Sequence, residues 1–243
     1  MAKQWEHFPH APIIEAIVDV RIEPEANAHW THKLEEFSSL LETHPDTDNI
    51  FANIFQAQWT GDGPPKQEVQ NEFKGFRFRN TIEVIQYRID GFTFSMLRPY
   101  TDWKDLIKRA WENWEFYKKI RGEATIVRLA VRYINLMQFP REQPLNTFLN
   151  APPILPATLR LPLKYFFMNY DIELSNDTHA TLIQTIQPQI LETLPFIFDI
   201  DAYRMGSFTM NDIRIRETFE ALREFKNELF FESLTDKAKA LWR

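Results

Sequence analysis

An α+β fold, mainly antiparallel sheet with two long helices, follows from three features of the chain. Segments that alternate apolar and polar residues recur along it, the period of a strand with one buried face. Two of these segments meet at Asp90-Gly91, a dipeptide suited to a tight hairpin. Two longer segments, 101–120 and 211–232, instead carry apolar residues at helical spacing. Runs of strands followed by helices give α+β rather than the regular strand–helix alternation of a parallel sheet.

In chain order, Ile13–Ile22 alternates cleanly. Ile14, Ala16, Val18, Val20 and Ile22 share one face; Glu15, Ile17, Asp19 and Arg21 share the other. Residues 28–43 place Trp30, Leu34, Phe37, Leu40 and Leu41 at helical spacing, with Asn27 as N-cap and Pro45 as the stop. Strands are expected over 50–60, 73–80, 82–89 and 92–97, with a turn-rich stretch at 61–65. The helix over 101–120 has a stripe of Trp103, Ile107, Ala110, Trp111, Trp114 and Tyr117, starts at Asp102 and ends at Gly122. A stripe of this kind is first of all core, and otherwise a docking surface. The second half has a long strand at 125–139, a proline-rich connection over 140–162, and strands at 165–174, 180–187 and 195–203. Its helix, about 211–232, carries Ile215, Phe219, Leu222, Phe225 and Leu229. Residues 1–122 and 123–243 therefore repeat one plan loosely, which reads as two similar halves fused into one compact unit.

Composition bounds the function. Aromatic residues make up 14% of the chain, with 21 Phe and 7 Trp, so a ring-rich core is expected. Lys and Arg number 28 against 34 Asp and Glu, a net charge of −6 that disfavours a broad grip on nucleic acid. There is no cysteine, which excludes disulfides, thiol nucleophiles and thiolate metal sites and fits a reducing cytoplasm. Residues 1–12 contain no apolar run, and no stretch approaches 18 uninterrupted apolar residues, so neither a signal peptide nor membrane attachment is expected.

Familiar catalytic signatures are missing. The six glycines form neither a dinucleotide-binding nor a P-loop motif, which need glycine where backbone N–H groups approach a phosphate. No cofactor is expected. Ser207 follows Gly206 without the context of a nucleophile elbow. His29 and His32, with Glu35 and Glu36 a turn on, share a helix face, but they lack zinc-protease order and read as solvated surface. His179 follows Ser175-Asn176-Asp177-Thr178, a turn signal, and reads as a loop residue.

What remains is a set of strands whose outer faces carry both signs of charge. Glu15, Asp19 and Arg21 lie on the first; Arg77 and Arg79 flank Phe78; Arg128 and Arg132 share a face, as do Asp171 and Glu173, and Asp199 and Asp201. The plain reading is a ladder of cross-strand ion pairs. One sharper reading has Asp171, Glu173, Asp199 and Asp201 converging on a divalent cation, as in a metal-dependent hydrolase or nuclease. Another takes Arg77 and Arg79, with Lys74, Arg88 and Tyr87, as a single-stranded RNA surface, although alternation puts Phe76 and Phe78 on the opposite face.

Four stretches occur in order: 11–21 (APIIEAIVDVR), Val131-Arg132-Tyr133-Ile134-Asn135, Asp199-Ile200-Asp201, and Lys226-Asn227 leading to 231–236 (FESLTD). Together they resemble a sporadically distributed family of uncharacterised bacterial and archaeal proteins of about this length, and the match spans nearly the whole chain. The resemblance implies a complete protein, and no activity; a patchy distribution implies an association with mobile or defence genes. Glu15, Arg21, Arg132, Asn135, Asp199, Asp201 and Thr235-Asp236 match its motifs. One departure is that Arg243 follows the Thr-Asp motif closely, so a last helical turn is expected to be short or missing. The leading expectation is a non-enzymatic binding protein. Its partner would be another protein or a small ligand, with a homodimer open, met through a charged face of Glu15, Asp19, Arg21, Arg77, Arg79, Arg128, Arg132, Asn135, Asp199 and Asp201.

Overall fold

The computed structural model describes residues 5–24, 30, 33–58, 66–153, 155–156, 158, 163–186 and 192–243, with backbone alone at 33–34, 54–58 and 66–70. These form β1 (Ile13–Ile22), a 3-10 turn (Lys33–Phe37) running into α1 (Ser38–Leu41), β2 (Asp46–Gln58), β3 (Lys66–Arg79), β4 (Glu83–Arg88), β5 (Gly91–Leu97) and α2 (Trp103–Arg121). There follow β6 (Thr125–Pro140), β7 (Phe167–Ser175), β8 (Thr178–Ile186), β9 (Thr193–Thr209), α3 (Arg214–Ser233) and α4 (Asp236–Lys239). The nine strands make one sheet in the order β2-β3-β4-β5-β1-β6-β9-β8-β7, antiparallel at every step. No helix among the described residues is long and apolar enough to cross a membrane.

Strand parity sorts the side chains. Val18 faces Val131, which faces Ala202, which faces Ala180, and all four are buried. This row lies under the helices: α2 packs on β5 and β1, α3 on β6 and β9. Rings fill the layer between. Tyr87, Phe92, Trp114 and Tyr117 pack with centroids 5.4–6.1 Å apart, inside the favourable range for offset and edge contacts. The helix boundaries follow from capping. The Asp102 carboxylate accepts from the Asp105 N–H, and Gly122 closes α2 at φ +75°.

Two local expectations fail. Of the helix expected over 28–43, Asn27, Ala28, His29, Thr31 and His32 lie outside the described residues, and the rest is only a 3-10 turn and one α-turn. Phe37 anchors this piece, stacked on Tyr87 and against Phe76 and Phe78, with Leu40 half-buried beside it; Trp30, ahead of it, is buried against Tyr117, whereas Leu41 is exposed. A short segment with one anchored face gains too little to offset helix nucleation. His179 sits in β8 rather than in a loop, stacked on Tyr203 of β9. The turn is confined to Asn176-Asp177. The 61–65 turn lies outside the described residues.

Gly91 opens β5 beside β1. A Cβ there would come 2.2 Å from the Val20 carbonyl oxygen, and the residue has φ +154°. Gly91→Ala is therefore expected to destabilise by more than about 1 kcal/mol, read as a lower urea midpoint with unchanged slope.

Candidate functional site

The face of the sheet away from the helices carries an ion-pair lattice across five strands. Asp19 is its centre. Its Oδ2 accepts from Thr93 Oγ1 at 2.7 Å and pairs with Arg88 at 3.1 Å; its Oδ1 pairs with Arg21 and Arg128, each at 3.2 Å. Arg128 reaches on to Asp201 at 2.7 Å and lies over the Tyr203 ring at 4.5 Å. Arg132 grips both oxygens of Asp199, at 2.9 and 2.6 Å. Glu15 lines the same concavity of about 310 Å³.

Burial works against a charge on Asp19, yet Arg21, Arg88, the Thr93 hydroxyl and Arg128 together hold its carboxyl below the ordinary carboxylate range. Asp201 goes the other way. Burial, outweighing Arg128 and Arg132 and helped by the nearby Asp19 charge, raises its carboxyl, and its Oδ1 is buried with no hydrogen-bond partner. The cations of the lattice's centre are thus largely spoken for by its own carboxylates, which makes this face a fastening across β4, β5, β1, β6 and β9 before it is a grip on anything else.

Three expected members fall elsewhere. Arg77 lies on this face and in the row of Asp19, through Gln86 and Thr93, but three strands out, at about 4.8 Å per strand. It pairs with Asp48 at 2.5 Å, and Arg79 with Asp46 at 3.6 Å. Phe76 and Phe78 are buried on the helix side, so no interleaved aromatic–cation surface forms there. Asn135 is buried on the helix side too, its amide donating to the Phe198 carbonyl at 2.9 Å. Odd and even positions of β6 face opposite ways, and Asn135 goes with Tyr133, not Arg132.

The four acids of the cation reading do not converge. Asp171 stands opposite Thr181, which stands opposite Asp201, so a whole strand separates them. Asp199 and Asp201 are engaged by Arg132 and Arg128, and Glu173 stands opposite His179. Among the described residues no three His, Asp or Glu side chains come together in a way that could hold a metal ion.

On the helix side lies a different constellation. A cavity of about 170 Å³ is walled by Tyr133 and Asn135 of β6, Tyr100 and Trp103 at the start of α2, Lys226 and Phe230 of α3, and the N-terminal segment at Trp5 and Phe8. Trp5 stacks on Phe231 at 5.0 Å and donates its indole N–H to Glu224 at 2.7 Å. Trp103 donates to Glu220 at 2.6 Å. The rings therefore do two jobs here, supplying apolar wall and tying down carboxylates near α3.

Lys226 is the anomaly of this wall. It is 7% exposed, its Nζ lies 3.7 Å from the centroid of the Tyr133 ring and it donates to Asn227 Oδ1 at 2.5 Å. Among the described residues no carboxylate comes within ion-pair distance of it. Burial, reinforced by the neighbouring Arg223 cation and only partly opposed by Glu224, brings its pKa down to about 7. The hydroxyls of Tyr100 and Tyr133 bond each other at 2.9 Å. Burial pushes Tyr100 up to about 12 and Tyr133 well above its ordinary value, so both stay protonated at neutral pH.

No known family model or curated protein matches this chain.

A buried lysine without a paired carboxylate among the described residues, on the wall of a ring-lined concavity that also holds several polar groups, is the kind of arrangement found at binding or reacting sites. The sequence reading passed over Lys226 as a site residue. Its spacing was a usable signal: it falls four residues after Leu222 and four before Phe230, on the stripe that α3 buries. Whether a carboxylate would meet it there depends on β6, α2 and the N-terminal segment.

The two faces give separate predictions. Asp19→Asn removes the central anion of a buried lattice, leaving Arg21 and Arg88 only Asp90 and Arg128 only Asp201, and is expected to cost about 3–5 kcal/mol. Asp201→Asn, at a carboxyl already disfavoured as an anion, is expected to cost under about 1 kcal/mol; equal losses in chemical denaturation would refute the contrast. For Lys226 the folded pKa lies below the unfolded value of about 10.4. Between about pH 7 and pH 10 the unfolded state therefore binds more protons, and stability rises with pH. This contribution to the rise is expected to vanish in Lys226→Met, as read from urea midpoints at stepped pH.

Proposed function

We propose that this is a small-molecule binding protein whose site is the Lys226 cavity, and that it takes an organic anion carrying one ring. The observation that carries the reading is the buried ammonium on Tyr133 with, among the described residues, no carboxylate within ion-pair distance. A bound carboxylate would supply the missing counter-charge in a water-poor site, where such a pair is worth more than at the surface. Size supports a ring: about 170 Å³ compares with the roughly 150 Å³ of an apolar cavity that accepts benzene. Of the polar groups on the wall, Glu6 is paired with Arg243 and Asp102 caps α2, which leaves Lys226, Arg223, Asn135 and Asn227 to orient the ligand, as well-placed groups do in small-molecule sites.

The charged face is less suited to this role, because its arginines and aspartates already satisfy one another. The hydrolase and RNA readings lack, respectively, converging carboxylates and rings beside Arg77 and Arg79. A reducing cytoplasm fits a chain with no cysteine. Duplication is part of the same reading. β1 and β6 pair at the centre, each also pairs with the last strand of the meander that follows it, and each meander leads into a long helix.

Benzoate is the test ligand. Calorimetry is expected to show binding at pH 6.5, weaker by at least about tenfold, or 1.4 kcal/mol, in Lys226→Met. Affinity is expected to fall above about pH 7, because the free protein then loses the proton that the bound anion requires. Absence of binding, or an unchanged constant in the variant, would overturn the proposal.

A further inference from the structure

We infer that Lys226 is an amine nucleophile that condenses with the carbonyl group of an aromatic 2-oxo acid to form an imine. This deepens the cavity reading and rests on it, naming the substrate class and a reaction of the same site.

Three features converge. The Nζ of Lys226 sits on a cavity wall, held by the Tyr133 ring and one amide oxygen, with no carboxylate of the described residues within ion-pair distance. A buried lysine beside a second cation is the arrangement that frees an amine lone pair near neutral pH, and Arg223 is that second cation. Arg223 lines the same cavity and lies over Trp103. Its contacts to Glu220 and Glu224 are long, 3.4 and 3.5 Å, and both acids are also engaged by indole N–H groups. Arg223 can therefore take a substrate carboxylate while Lys226 meets the adjacent carbonyl carbon. Tyr100 and Tyr133, protonated and mutually hydrogen-bonded on that wall, offer a hydroxyl proton to the carbonyl oxygen.

The step balances without an outside oxidant or reductant. The Nζ lone pair forms a bond to the carbonyl carbon, and the carbonyl π pair moves to oxygen, which takes a proton. Nitrogen sheds one of its protons, giving a neutral carbinolamine. Loss of that hydroxyl as water, with a proton supplied to it, leaves the C=N bond. Hydrolysis reverses the sequence.

The experiment traps the imine on the intact protein with borohydride at pH 7. Benzoylformate serves as the 2-oxo acid and benzaldehyde as its uncharged counterpart, with peptide mass mapping to locate the reduced adduct. At that pH an ordinary lysine is unprotonated in roughly one molecule in a few thousand, so Lys226 is expected to label at least tenfold faster than any other lysine. Arg223→Met is expected to slow both probes, because Lys226 loses its neighbouring cation, and to slow labelling by benzoylformate at least fivefold more than labelling by benzaldehyde. Labelling of Lys226 no faster than that of surface lysines overturns the inference. Equal effects of Arg223→Met on both probes overturn the 2-oxo acid assignment. Benzoate binding without a trapped adduct would sink the imine and spare the binding site; loss of both would sink the cavity reading itself.

Discussion

The pairing of β1 with β6 is the constraint on which the molecule depends. It joins the strands that follow from each part of the chain into one sheet, with Val18 opposite Val131 and Ile17 opposite Arg132. Side chains alternate with period two, so a slip of one residue would push Val18 and Val20 away from the helices and Asp19 beneath them. Asp19 resists that slip from the other side. Its bond to Arg128 exists only in this register, and those to Thr93 and Arg88 only in the matching register with β5, so the polar face specifies what the apolar face stabilises. Ion pairs exposed to water contribute little singly. A buried hub shared by several partners is costly to break because the orphaned charges remain in place.

The two faces handle buried charge in opposite ways. On the open face almost every ion has its counter-ion from a neighbouring strand, and Asp201, the partial exception, is the acid whose carboxyl is raised. On the helix face the chain buries a lysine against a ring and gives it an amide oxygen instead of a carboxylate. A lysine buried beside a cavity with an amide oxygen in place of a counter-charge departs from the pairing used on the open face, and departures of this kind are expected at functional or strained positions. Met or Leu at 226 would complete the α3 stripe at no electrostatic cost.

Much of the architecture was legible from period and punctuation. The limits of β1, the Asp90-Gly91 hairpin, the Asp102 cap and the Gly122 stop are local signals, and the molecule uses them as written. Helical spacing over 28–43 says nothing about whether a partner surface runs the length of the segment: Trp30 and Phe37 are buried against Tyr117 and Tyr87, while Leu41 stays exposed. His179 misled because a turn signal spreads over more residues than the turn occupies. Asn135 was misplaced against a signal that was present, since its parity matches Tyr133. Arg77 and Arg79 were assigned to the right face, but their distance from Asp19 depends on sheet order, which no local pattern encodes.

By itself, then, the sequence determined which residues form strands and helices, where the long helices begin and end, and which side chains of each strand are apolar. These depend on torsional preference and spacing among near neighbours. Only the tertiary structure decided which strands are adjacent, and hence that Asp19, Arg88, Arg128 and Asp201 interlock while Asp171 stands a strand apart. It also decided that Lys226 meets the Tyr133 ring and the Asn227 amide oxygen. The reason is physical: depth and electrostatic partnership are set by groups far apart in the chain, brought together only when the whole sheet closes under its helices.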